Sequence, residues 1–362
     1  MGGSVKKLTV NAGKKPYCIL IGDGILSGEN GLREIISSND RIAVFTSSGI
    51  MKLHGNRIKE IFSENKNCDL FIMKDGEKNK NYGYAEDFLN DLLSKGHTRN
   101  SVIIGIGGGV VGDFSGFIAS VYMRGISLIH IPTTLLAMVD SSIGGKVAVN
   151  ISTGKNIIGA FHQPEMVISE LDFIHTLPEI EFKNGITEVL KHSIIGEERL
   201  LTILLENDLN SLKKTNNIED IVYLSVLFKG KVVQEDEKES GRRAILNFGH
   251  TVGHAIESFF EYKGITHGEA VAFGLLIESE ISRRIGWLTD SEKEVISDLI
   301  KKYGLIYNKY KINSEDIIKH MKYDKKNIAG KINFVLLKGL NNPVYNQNID
   351  IDLLKEIIRS TI

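Results

Sequence analysis

Apolar positions in the first half of the chain fall into short, β-branched blocks: Arg41–Thr46, Leu70–Met73, Val102–Ile106 and Leu128–Ile131. Each is too short for a helix and reads as a buried strand. Between them, Tyr84 to Lys95 carries apolar residues at helical spacing and stops at Gly96, a residue that ends helices well. Strand and helix in alternation predict a mostly parallel sheet with helices on its faces, and the extreme amino-terminal segment could add antiparallel strands. After Leu177-Pro178 the pattern changes. Ile180–Ile195, Leu200–Lys214, Ile218–Glu237, Gly249–Tyr262 and Gly268–Ile285 have the helical period, and a short strand is expected within Lys331–Leu337. The pattern shows no internal repeat and no flexible linker.

Composition narrows the class. Of 362 residues, 42% are hydrophobic and 25% charged, ordinary values for a globular chain, and the length exceeds what one core usually serves. With 44 Lys and Arg against 45 Asp and Glu, the net charge is -1, so no bulk attraction to nucleic acid or an anionic membrane is implied. Any anion site must be built locally. Cys18 and Cys68 lie in apolar runs without a C-x-x-C partner, which suits reduced thiols, and no apolar leader is visible near Met1; together these predict a cytoplasmic protein. The run Ser101–Met123 has Asp113 as its one acidic residue, yet Gly107, Gly108, Gly109 and Gly112 interrupt it. A strand, a tight turn and a buried helix explain it better than a membrane span does.

That turn, Gly107-Gly108-Gly109-Val110-Val111-Gly112, fits G-x-G-x-x-G and opens a helix whose first amides favour phosphate. The acidic residue that usually follows about 20 positions on is missing, because the region reads Ile129 to Thr134. A glycine turn needed for packing is the competing reading. Asp113 could bond a cofactor or cap the turn, and Glu77 with Lys80 could be a solvated loop. In the second half, His250 and His254 stand at i and i+4, the spacing of helical metal-binding pairs, and His267 follows at the start of another helix. Hydrogen-bonded core histidines are the alternative. Glu188 with Lys191 reads on its own as an i, i+3 surface pair, although a carboxylate and imidazoles facing one cleft would suit zinc with an open position. Arg124, Lys146, Lys155, Lys191, Lys229 and Arg243, with Asn156 and Asn247, recur in small, apolar surroundings that suit phosphate or carboxylate recognition. The resulting expectation is an α/β chain. Residues 1–176 form a mostly parallel, Rossmann-like sheet domain and 177–362 a mainly helical one, with the active site in the cleft between them.

Taken together, Gly105–Asp113, Arg124–Lys146, Gly154–Pro164, Gly185–Lys191, Arg243–Glu257, His267–Ala272 and Asp324–Lys326 resemble the 3-dehydroquinate synthases, a family of sugar phosphate cyclases. The resemblance implies a divalent cation, zinc or cobalt, held by Glu188, His250 and His267, and NAD retained through the cycle. The matching cofactor positions are Glu77, Lys80, Gly108, Gly109, Val110, Gly112, Asp113, Thr133, Thr134, Asp140, Phe173, Thr176 and Leu177. Substrate phosphate is implied at Lys146, Asn156, Asn247 and Lys325, with Arg124 reaching over from the second subunit of a homodimer. Lys229 and Arg243 match carboxylate contacts; Lys155, Lys191, Glu239 and His254 match polar groups around the reacting hydroxyls. The implied substrate is a small phosphorylated sugar acid. It would undergo transient oxidation, phosphate elimination, re-reduction, ring opening and intramolecular aldol closure, with no net redox change.

The sequence departs from the family pattern at His130 and Met138, where glutamine is usual, at Val147, Ile151-Ser152 and Arg242, and at Thr46-Ser47-Ser48, which lacks an aspartate near the adenosine. The competing readings are another sugar phosphate cyclase, for which Arg243 would have no carboxylate to meet, and a metal-dependent polyol dehydrogenase, which lacks the lysine-rich set. A non-catalytic binder is disfavoured by intact Lys146, Lys191, His254 and Glu188.

Overall fold

In a computed structural model, the described residues are 5–27, 32–63, 65–307, 310, 313–322 and 332–361. The chain folds into two compact units, Met1–Pro178 with Ile218–Glu237, and Glu179–Asn217 with Lys238–Ile362. The first unit is built on strands β1 (Lys6–Val10), β2 (Tyr17–Gly22), β3 (Ile42–Ser47), β4 (Cys68–Met73), β5 (Val102–Gly107), β6 (Ser127–Pro132) and β9 (Met166–Glu170). They form one sheet in the order β1-β2-β9-β6-β5-β3-β4. Every pairing is parallel except β1 with β2, so the antiparallel addition expected at the amino terminus is an edge strand. The central strands β3 and β5 are buried at every position, which is why they read as unbroken apolar blocks. Two further strands, β7 (Lys146–Ile151) and β8 (Gly154–Phe161), make a separate antiparallel hairpin.

Helices α1 (Leu32–Ser38), α2 (Ser48–Phe62), α3 (Tyr82–Ser94) and α4 (Gly109–Val121) connect these strands. Helix α3 begins where the Asn81 side chain accepts the Tyr84 N–H, and the chain leaves it through Gly96 at φ +76°. Phe45, Phe71, Phe88 and Phe114 pack between sheet and helices, with Phe45 and Phe71 stacked at 4.9 Å. The membrane-like run resolves into β5 and α4, and no helix among the described residues is long and apolar enough to cross a membrane.

The second unit contains α5 (Glu179–Ile195), α6 (Glu198–Glu206), α7 (Leu209–Leu212), and, after α8 (Thr215–Glu235), α9 (His250–Phe259), α10 (His267–Arg284), α11 (Asp290–Lys302), α12 (Ser314–Lys322) and α13 (Ile351–Thr361). A small hairpin joins β10 (Phe334–Leu337) to β11 (Pro343–Gln347). The helical period over Leu200–Lys214 predicts one helix, but the chain breaks at Asn207-Asp208. There the Asp208 side chain accepts the Ser211 N–H and caps a new turn, a local competitor that periodicity does not register. Helix α8 divides at Ile218, and from there to its end it belongs to the first unit. It is tied there by Lys6 to Asp220 at 2.6 Å and by Gln234 to the Asn11 N–H at 2.7 Å.

In β6, the buried His130 lies beside two glycines: Cβ atoms added at Gly105 and Gly112 would meet its ring at 3.7 and 3.8 Å, ordinary contact distances. Burial first, and the nearby His162 second, push the His130 imidazole down to about 4. Between pH 6.5 and about 4 the unfolded chain therefore holds a proton that the folded one refuses, so stability falls as pH falls through that window. The full effect is worth up to about 3 kcal/mol. The variant His130→Gln should lose less melting temperature between pH 7 and pH 5 than the parent does; equal losses in a thermal scan would disprove this.

Candidate functional site

In the first unit, candidate residues follow the carboxyl ends of parallel strands: Glu77 and Lys80 after β4, Gly108 to Asp113 after β5, Thr133 and Thr134 after β6, and Phe173 to Leu177 after β9. Open α/β sheets place ligands at these ends, where diverging loops leave a crevice. None of Gly107, Gly108, Gly109 and Gly112 adopts positive φ. Gly107, Gly108 and Gly109 serve close approach instead: added Cβ atoms would lie 2.6 Å from Val111, 3.0 Å from Thr134 and 3.2 Å from Ser141 in turn. Gly108 caps α4 with no side-chain hydrogen bond, leaving the first-turn amides to another acceptor. Thr133 is buried and its Oγ1 has no hydrogen-bond partner.

Lys80 is only 2% exposed, yet it is no solvated loop lysine. Its Nζ meets Asp113 at 2.6 Å, Asn156 Oδ1 at 2.7 Å and Glu77 at 3.2 Å. Burial disfavours the ammonium, but Asp113 and Glu77 outweigh burial and raise its pKa, so it stays charged. The same cations, Lys80 and Lys155, overcome burial at Glu77 and hold it below the usual carboxylate range. Asp140 sits in a π-helical turn, Ala137–Ser141, where Lys229 donates to both its carbonyl, at 2.6 Å, and its carboxylate, at 2.7 Å. Thr176 Oγ1 lies 2.8 Å from His54 Nε2, and the Arg57 guanidinium lies 5.3 Å from the centre of the Phe173 ring. Arg124 lies in a turn with Met123 and Gly125 at positive φ throughout. Lys146 begins β7 and is exposed, and Lys155 is in β8.

In the second unit, Glu188 on α5, His250 at the start of α9 and His267 at the start of α10 converge. One ligand atom from each lies within 4.8 Å of the others. His250 Nε2 is 3.5 Å and His267 Nε2 3.7 Å from the same Glu188 oxygen. Spacing alone singled out His250 with His254, but the helical pair is not the one that closes on the carboxylate. The His254 and His250 rings meet edge to face, 5.3 Å apart. Glu188 is fully buried, not on the helix surface that its i, i+3 spacing to Lys191 suggests, and Lys191 forms an ion pair with it.

Second partners fix both imidazoles. His250 Nδ1 faces the Phe248 carbonyl at 3.2 Å and His267 Nδ1 faces the Glu257 carboxylate at 3.2 Å. Both partners can only accept, so each Nδ1 carries a hydrogen, and each Nε2 faces Glu188. Burial, then Lys191, holds His250 well below 6.5; at His267 burial is overcome by Glu257 and Glu188, which push it up to about 10. Glycines allow the approach. A Cβ on Gly268 would lie 2.5 Å from Asn184 of α5, and one on Gly274 would lie 1.8 Å from the Gly249 carbonyl oxygen. Glu278 of α10 then accepts the N–H groups of Gly249 and Val252, at 2.6 and 3.3 Å, capping α9 from the side.

Glu239, at positive φ, accepts the Asn247 amide at 2.6 Å, and Arg243 is buried. Lys325 lies outside the described residues. Glu257, Glu278 and Asn150, whose amide reaches Glu77, carry no sequence signal of their roles; they act across distances in the chain that no local motif spans.

The three side chains of the Glu188 group offer nitrogen and carboxylate donors of the kind zinc takes, and three such donors are one short of a closed tetrahedral set. Glu257→Gln should weaken zinc binding about ten- to a hundredfold in chelator competition. An unchanged affinity would mean that Glu257 does not orient His267.

Two family models match the chain: 3-dehydroquinate synthase N-terminal over residues 70–184, and 3-dehydroquinate synthase C-terminal over residues 185–327. A 3-dehydroquinate synthase of Thermodesulfovibrio yellowstonii is 41% identical over 359 residues, 98% of this chain and 99% of that protein. One of Alkaliphilus metalliredigens is 40% identical over 343 residues, 93% of this chain and 94% of that protein. Among solved structures, a 2-deoxy-scyllo-inosose synthase complexed with carbaglucose-6-phosphate, NAD+ and Co2+ matches with a TM-score of 0.89 at 26% identity, covering 98% of this chain and 100% of that one.

Proposed function

The chain belongs to the 3-dehydroquinate synthase family, and we propose on that premise that it is a carbon–oxygen lyase of the shikimate pathway. Its substrate is 3-deoxy-D-arabino-heptulosonate 7-phosphate and its products are 3-dehydroquinate and inorganic phosphate. The observation that carries the reading is the convergence of Glu188, His250 and His267, with each imidazole Nδ1 held by an acceptor of its own. A divalent cation, zinc or cobalt, fits that donor set. A dinucleotide fits the first unit, where the Thr133 hydroxyl is buried without a partner and the α4 amides are uncapped by any side chain. When bound, NAD supplies a reversible hydride acceptor and the cation a Lewis acid for neighbouring substrate hydroxyls.

The chain's own residues bind and orient. Glu77, Lys80, Gly108, Gly109, Val110, Gly112, Asp113, Thr133, Thr134, Asp140, Phe173, Thr176 and Leu177 hold the dinucleotide. Lys146, Asn156, Asn247 and Lys325 take the substrate phosphate, and Lys229 and Arg243 its carboxylate. Lys155, Lys191, Glu239 and His254 surround the reacting hydroxyls; the ion pair of Lys191 with the buried Glu188 supports a role for it beside the cation. The leaving phosphate takes the proton from the neighbouring carbon, and the final ring closure needs orientation more than a new acid or base. The protein works as a cytoplasmic homodimer, with Arg124 supplied to the phosphate of the other subunit.

Similarity to the inosose synthase favours a second reading, a cyclase for a sugar phosphate lacking a carboxylate. The 41% and 40% identity to 3-dehydroquinate synthases over nearly the whole chain, against 26% to the inosose synthase, favours the first reading.

Purified protein should release phosphate from the heptulosonate, form no net NADH and stop on chelation, recovering with zinc or cobalt. Turnover after complete metal removal, or NADH accumulating with simple polyols, would overturn the assignment. His250→Ala should lose bound metal by elemental analysis, whereas Arg243→Ala should keep it and mainly raise the substrate KM. Unchanged metal in the first variant would refute that ligand.

A further inference from the structure

The hairpin β7–β8 carries an asparagine to which neither the motifs nor the reaction assign a role. Asn150 lies near the end of β7, and three of its groups are engaged. Its backbone N–H donates to the Lys80 carbonyl at 2.8 Å, and a parallel bridge joins it to Asn81. Its side-chain Nδ2 donates to Glu77 Oε1 at 2.9 Å, and its Oδ1 accepts the backbone N–H of Asn156 at 2.8 Å. The orientation of the amide is not arbitrary. Glu77 can only accept and the Asn156 N–H can only donate, so a flipped amide would lose both bonds.

These bonds close a ring. From Glu77 the path runs through the Asn150 amide to Asn156, from the Asn156 Oδ1 to the Lys80 ammonium at 2.7 Å, and from Lys80 back to Glu77 at 3.2 Å. Asp113, at the first turn of α4, joins through Lys80 at 2.6 Å. Asn156 sits at φ +53°, a left-handed conformation that asparagine tolerates and that a bond to its own N–H helps hold. With Oδ1 turned to Lys80, the amide presents its Nδ2 end, the donor end, as the one an anion can use.

Glu77, Lys80 and Asp113 are assigned above to the dinucleotide and Asn156 to phosphate, so the inference that follows rests on that reading. We propose that Asn150 is a positioning residue that ties the dinucleotide cradle to the phosphate subsite, so that occupancy of either one favours the other. Fixing Glu77 and Lys80 around NAD draws Asn156 into its left-handed turn, and an anion on Asn156 in turn orders Lys80 and Glu77. By linkage the assistance is mutual and equal in both directions. Asn150 touches neither ligand. It acts through the two residues its amide connects.

The test measures NAD+ affinity by calorimetry on the zinc-loaded full chain, with and without saturating inorganic phosphate. In the parent, phosphate should tighten NAD+ about fivefold, and NAD+ should tighten phosphate by the same factor. In Asn150→Ala that factor should fall to about one, with zinc content retained. Asn150→Asp keeps the acceptor for Asn156 and sets a carboxylate against Glu77. It should weaken NAD+ more than phosphate. A purely structural role would lower melting temperature and both affinities while leaving the coupling factor as it was, and that result would overturn the proposal. So would the absence of coupling in the parent. Failure of the parent to bind NAD+ at all would instead overturn the functional reading on which the proposal stands.

Discussion

A carboxylate with no exposure to solvent governs the second unit. Left alone, Glu188 would cost several kcal/mol to bury as an anion. The fold answers that cost with what it assembles around the group: Lys191 one turn further along α5 and two imidazoles from α9 and α10. Those helices must come very close for this, and glycine is what lets them. Gly268 admits α10 to α5, while Gly249 and Gly274 let α9 and α10 touch through their backbones. Glu278 then caps α9 where no side chain at its own N-cap does so, and thereby sets where His250 begins the helix. The donor set is therefore a product of helix packing more than of any single motif.

In the first unit a parallel sheet does the corresponding work. Its strands run to a common edge, and the loops there gather a glycine turn, the Glu77–Lys80 segment and the Thr133–Thr134 pair. The buried cation Lys80 and its acidic partners give this edge a fixed electrostatic character, independent of the near-zero net charge of the chain. With a net charge of -1, a cation of this kind is fixed by local construction and not by the bulk of the chain. Rigid strands with chemistry confined to their ends keep such a constellation in register.

Much of this was legible in the sequence because the signals are local. Blocks of β-branched residues mark β3, β5 and β6 as buried on both faces, and the helical period marks α5, α9 and α10. The glycine turn was legible as a turn, although the reason for its glycines is close packing and not positive φ. Signals that depend on distant contacts were not. The i, i+4 spacing paired His250 with His254, whereas the imidazole that joins His250 on Glu188 is that of His267, on the next helix. Glu188 resembles a surface carboxylate until its burial is known. Asn150, Glu257 and Glu278 lie in ordinary strand or helix text, and only the folded chain reveals what each one holds. The break at Asn207-Asp208 was hidden because a side-chain cap leaves no mark on hydrophobic periodicity.

The path of α8 has a consequence for how the molecule is made. Residues Ile218 to Glu237 complete the first unit, although the chain has already entered the second at Glu179. During synthesis the sheet therefore waits, without its last helix, until residue 237 has left the ribosome. No cut placed at the change of texture near Pro178 would yield that unit whole. Its evolution by exchange of contiguous gene segments is constrained for the same reason: a transplanted amino-terminal half would arrive lacking Lys229, the partner of Asp140.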